Sequence, residues 1–179
     1  MTDTALLTST RILEVTSVLI TGLAAATGIS RAFITTGEIA DDVLCDLLAL
    51  TVQGRTQSHS FPQDRYPQEW NRTVGEPGEY VIMCRVEAWR CSPLVGDTVG
   101  NTPGTPPTVG DITAAAAQVL SDEYAIWHYL DCALGRMYNT FPQSIGNYII
   151  QSSTSLGPQG GSQGVAVNFQ FGLFAECLC

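Results

Sequence analysis

Apolar residues near the start of the chain recur at Ile12, Val15, Leu19, Leu23 and Ala26, the spacing of one face of a helix. Thr8 or Ser9 can cap its start and Gly28 can stop it, while Gly22 inside it costs about 1 kcal/mol relative to Ala. The stretch 31–36, with Ala32, Phe33 and Ile34, reads as a short strand closed by Gly37. A second apolar run, 43–52, follows the acidic turn of Glu38, Asp41 and Asp42. Periodicity alone does not separate helix from strand there, and the reading taken is a strand from about Leu47. Tyr80, Ile82, Cys84, Val86 and Ala88 then alternate onto one face of a strand over 79–91, with Arg85 and Glu87 on the other face.

Asp111 sits where an N-terminal cap belongs. Ile112, Ala116, Val119, Ile126, Leu130 and Ala133 trace one face of a second helix lasting to about Arg136, and Leu120, Trp127 and Leu134 widen that face. Val165, Val167, Phe169, Phe171 and Leu173 alternate with Ala166, Asn168, Gln170 and Gly172 in a closing strand. Between these elements lie three excursions rich in Pro, Gly or polar residues, at about 53–78, 92–110 and 139–164. Bare loops beyond roughly 12–15 residues are uncommon in a small domain, so they read as arms reaching toward neighbours. The order predicts one domain over 1–179 of the α+β class: a mixed, mostly antiparallel sheet packed against two helices, with long loop arms.

Composition narrows the function more than the fold. Acidic residues outnumber basic ones by 17 to 8, the formal charge is -9, and all eight basic residues are Arg. A domain that grips nucleic acid needs a basic face to displace counterions from phosphates, and this chain is poorly supplied with one. The apolar stretch 12–29 is interrupted by Glu14, Thr16, Ser17, Thr21 and Thr27, which argues against a membrane span. Arg11 and the Ala24-Ala25-Ala26 run have the look of a leader, but Asp3 and Glu14 oppose a cationic one, so a soluble amphipathic helix is expected.

Candidate chemistry is sparse. Of the six cysteines, Cys45, Cys84, Cys91, Cys132, Cys177 and Cys179, the only close pair is Cys177 and Cys179, with one residue between them, which does not suit zinc. Free cysteines acting as small buried hydrophobes are the favoured reading, with a bond from Cys45 or Cys91 to Cys132 left open. A catalytic base would be His59 or His128, and Cys132 lies one helical turn beyond His128. No orienting group or oxyanion-hole motif accompanies that pair, so no catalytic residues are assigned. Asp41 with Asp42 and Asp122 with Glu123 read as a turn and a solvated helix face. The glycines at Gly157, Gly160, Gly161 and Gly164 lack a following Lys and precede a strand, which disfavours phosphate cradling. No metal ligands and no cofactor are expected.

Three short segments resemble those of neck proteins from long-tailed phages infecting actinobacteria, most nearly the tail terminators. They are the Gly37-Glu38 turn leading through Asp42 to Cys45 and Leu48, the Arg90-Cys91-Ser92-Pro93 strand exit, and the helix with Asp122 and Cys132; the strand from Val165 fits as well. The resemblance implies a non-enzymatic virion subunit, assembled in the host cytoplasm, that forms a homohexameric ring at the head-tail junction. Such a ring caps the tail tube, meets the major tail tube protein and a head-side connector or stopper, and passes genomic DNA without reading its sequence or touching a membrane. A head-side stopper or other connector, a secreted binding module, and a hydrolase built on His128 and Cys132 are the alternatives. Phe61, Tyr66, Trp70, Phe141 and Tyr148, aromatic residues within otherwise polar stretches, are the candidate partner contacts.

Overall fold

The computed structural model describes residues 3–37, 39, 45–58, 61, 79–92, 108–140, 145–159 and 162–174. Helix α1, Asp3–Thr27, starts upstream of Thr8 and Ser9, which therefore lie within it and do not cap it. It ends as expected: Gly28 has φ 70°, the left-handed conformation that glycine adopts without steric cost after a last helical turn. By length and composition its Ser9–Thr27 stretch would pass for a membrane span, contrary to expectation. Leu19 and Leu23 are nevertheless fully buried in the core. Strand β1 is Arg31–Thr35, β2 is Leu47–Ser58 and β3 is Glu79–Cys91. Helix α2, Val109–Thr140, precedes β4, Tyr148–Gln159, and β5, Ser162–Phe174.

The five strands form one open sheet in the order β1-β2-β3-β5-β4, parallel between β1 and β2 and antiparallel elsewhere. This is the α+β architecture expected. Registers align the apolar alternation across strands: Ile34, Leu50, Val86 and Val167 form one continuous row, and Cys84 faces Phe169. That row points toward the helices, where α1 covers β1 and β2 while α2 covers β5 and β4. Leu19, Leu23, Ile126, Leu130, Leu134, Phe169 and Phe171 are fully buried between the layers. Close approach of the helices accounts for Gly22, because a Cβ there would fall 1.8 Å from the Tyr129 hydroxyl, which donates to the Val18 carbonyl.

Three expectations need correction. The arm at 139–164 is largely a strand: β4 occupies Tyr148–Gln159 and β5 already begins at Ser162. Its sequence lacks alternation because β4 is an outer strand, interrupted by register shifts between Ile150 and Ser152 and between Leu156 and Gln159. The arm at 53–78 is shorter than read, since β2 continues to Ser58 past a shift between Val52 and Gly54; residues 62–78 lie outside the described residues, as do 93–107 of the arm at 92–110. Finally, Thr108 and not Asp111 caps α2. Thr108 Oγ1 accepts from the Asp111 N–H at 3.2 Å while Asp111 Oδ2 accepts from the Thr108 N–H at 2.8 Å, a reciprocal capping box with Asp in the usual Glu position.

Candidate functional site

At the end of the sheet where β3 finishes, Arg90 ties three elements together. Its Nε and Nη2 donate to Asp122 Oδ2 and Oδ1 of α2, both at 2.8 Å. Nη2 also donates to the Thr27 carbonyl at 2.7 Å, placing a cation at the negative end of α1. Asp122 is almost fully buried and accepts further from Gln118, while Asp46 approaches the same guanidinium at 3.6 Å. The bidentate bond to Asp122, more than the proximity of Asp46, holds the Arg90 pKa above its ordinary value. Beside this clasp Cys45 is bonded to Cys91, with their Cα atoms 4.6 Å apart. The reading of all cysteines as free is thus corrected for this pair. Parallel β1 and antiparallel β3 flank β2, so the entry to β2 and the exit of β3 meet at one sheet end, and sequence spacing alone does not reveal that. Cys84 and Cys132 are free, and Cys177 and Cys179 lie outside the described residues.

The Cys45 and Cys91 sulfurs and an Asp46 carboxylate oxygen lie within 4.8 Å of one another. While the sulfurs are bonded together they offer no thiolate to a metal. Arg90 of β3, Asp122 of α2, the Thr27 carbonyl of α1 and the Cys45–Cys91 bond therefore form one clasp that ties both helices to the sheet.

A second feature is open to solvent. Tyr124, Trp127, His128 and Asp131 follow one another at i, i+3, i+4 and i+7 along α2, so they share a helix face, and with Tyr148, Ile149 and Ile150 of β4 they line a groove of about 620 Å³. The Tyr124 and His128 rings stack with centroids 5.8 Å apart and planes 4° from parallel. Tyr148 donates to Asp131 Oδ1 at 3.0 Å. Burial, reinforced by that bond and the carboxylate charge, raises the Tyr148 pKa, so the hydroxyl remains a donor. Ser153 of β4 likewise donates to Glu123, fixing the strand against the helix. Cys132 Sγ lies 4.0 Å from His128 Nε2, but among the described residues no carboxylate is hydrogen-bonded to that imidazole, and its ring is engaged by Tyr124.

Of the candidate partner contacts, Tyr148 lies in this groove, and Phe61 is half-buried in a turn beyond β2. Tyr66, Trp70 and Phe141 lie outside the described residues, as does His59. Tyr124, 72% exposed, was not singled out from the sequence, although its spacing to Trp127, His128 and Asp131 carried the signal. Compared with protein-family models and with curated proteins, the chain matches none.

Proposed function

We propose that the protein is a structural virion subunit that assembles as a ring at the head-tail junction of a long-tailed phage, capping the tail tube and joining it to the head-side connector. The observation that carries this reading is an open sheet whose outer strand β4 has no described partner on its far side, next to a solvent-facing aromatic groove. Free strand edges and exposed aromatic clusters suit subunit contacts. The charge of -9 per chain and the absence of Lys support it physically. A ring of such subunits that turned part of this charge inward would repel DNA phosphates and let a genome slide. Electron microscopy of the purified protein should show closed rings with a central pore. Solitary molecules at intracellular concentrations, with the tube and connector proteins supplied, would remove the reading, and a basic lumen would remove the sliding argument.

A secreted binding module is the second reading, favoured by the Cys45–Cys91 bond, since disulfides persist mainly in oxidising compartments. N-terminal sequencing and a thiol count on protein isolated without oxidant separate the two. A cleaved leader with an oxidised pair supports secretion, and an intact start with a reduced pair supports the virion subunit.

A further inference from the structure

We propose that the Cys45 and Cys91 thiolates and the Asp46 carboxylate bind a divalent cation of the zinc class once the bond between the two sulfurs is reduced. Their ligand atoms lie within 4.8 Å of one another and all three residues are exposed. No other group of three Cys, His, Asp or Glu side chains is so placed among the described residues. Two thiolates with one carboxylate make a mixed soft and hard donor set. It suits Zn2+, whereas Mg2+ and Ca2+ prefer oxygen ligands alone and Cu+ prefers sulfur. Three protein ligands at an exposed surface leave the fourth tetrahedral position to water. The inference goes beyond the ring reading and does not depend on it.

The fold holds these groups together before any ion arrives. Cys45 and Asp46 immediately precede β2 and Cys91 ends β3, and next to them Leu47 pairs in register with Trp89, both buried. Asp46 takes the left-handed backbone conformation, φ 49°, which Asp tolerates better than most residues. Its Oδ2 lies 3.9 Å from Cys91 Sγ. The neighbouring Arg90 guanidinium is matched by Asp122 at 2.8 Å and lies farther, 3.6 Å, from Asp46. Its charge is therefore already balanced, and the Asp46 side chain, 64% exposed, can turn to a cation. Because both cysteines are exposed, their bond is open to a thiol reductant. Two equivalents of a monothiol supply two electrons and two protons and leave as their own disulfide, giving two Cys thiols, and Zn2+ then displaces those two protons. In a reducing compartment the ion refastens the entry of β2 to the exit of β3 where the covalent bond is lost.

The test uses the full chain carrying Cys177→Ser and Cys179→Ser, so that the last residues hold no metal. Protein reduced with a phosphine, and then freed of it under nitrogen, is titrated with Zn2+ by isothermal calorimetry. Substitution by Co2+ reports thiolate ligation through its charge-transfer absorption. One ion per chain should bind the reduced protein, and the oxidised form should bind roughly tenfold or more weakly. Cys45→Ser, Cys91→Ser and Asp46→Asn should each weaken binding by roughly tenfold or more, the last through an exposed side chain alone. Cys132→Ser, which removes the thiol beside His128, should leave binding unchanged. Thermal melts confirm folding, and Zn2+ should restore part of the midpoint lost on reduction. Reduced protein that takes up no Zn2+ at micromolar concentrations overturns the site, and so does equal binding by the oxidised form. Binding unaltered by Asp46→Asn removes the carboxylate from it. Loss of binding in Cys132→Ser with retention in Cys45→Ser puts the ion at His128, which also overturns it.

Discussion

Arg90 and Asp122 form the most consequential pair of side chains in the protein. Removing one member of a buried pair leaves the other charge without compensation, at a cost of about 3–5 kcal/mol, whereas replacing both with apolar residues is often far milder. Asp122→Ala, which leaves Arg90 with Asp46 at 3.6 Å and the Thr27 carbonyl, is therefore expected to lower unfolding free energy in urea by at most about that amount, and Arg90→Met with Asp122→Leu to recover part of the loss. Gly164 is equally constrained for a different reason. It stands between Trp89 and Leu156 in register, and a Cβ would lie 2.1 Å from the Ala88 carbonyl oxygen, a backbone atom that cannot swing aside. Gly164→Ala should cost about 1–3 kcal/mol or more in the same assay. Gly22→Ala should destabilise less, because Tyr129 is a side chain that can rotate and the helix itself favours Ala. Cys84, pushed up to about 12 by burial, should resist maleimide at pH 8 in the native state. In a background with Cys177 and Cys179 replaced by Ser, Cys132 should be the one thiol labelled, and labelling of a second before unfolding would contradict the burial.

Among the elements, α2 depends on its capping box. The hydrogen bonds from Thr108 hold the Asp111 pKa below its ordinary value. A depressed carboxylate contributes stability above its unfolded pKa and loses it as pH falls through the lower folded value. Asp111→Asn should flatten that slope as pH falls below the ordinary Asp pKa of about 3.9, and Thr108→Ala should cost about 1 kcal/mol, both read by helical circular dichroism during denaturation. Strands β3 and β5 were legible from sequence because each turns one alternating apolar row to the core: Tyr80, Ile82, Cys84, Val86 and Ala88 opposite Leu173, Phe171, Phe169, Val167 and Val165. Strand β4 was not, because it stands at the sheet edge, where the row that reads Ile34, Leu50, Val86, Val167 ends in Ser153. An edge strand held by Ser153 to Glu123 and Tyr148 to Asp131 needs little apolar alternation, so its polarity imitates a loop. Tyr148 was visible as an aromatic in a polar stretch. Its partners on α2 were hidden because Trp127 and His128 fit a core face and a catalytic base equally well until β4 was in place.

For the whole molecule, the Cys45–Cys91 bond closes a loop with a sequence separation of 46, worth about 4 kcal/mol in the chain-entropy description. Reduction should lower the denaturation midpoint correspondingly, and an unchanged midpoint in reductant would show that the bond does not form in the isolated protein. The clasp formed by this bond and Arg90 sits at one end of the sheet, while β4 begins near the other. A tensile load entering through the β2 to β3 connection would therefore peel strands apart from the unfastened margin and stall at the riveted one. With the pair oxidised, that polarity would let the sheet yield first at its open margin while the seat of both helices stays shut.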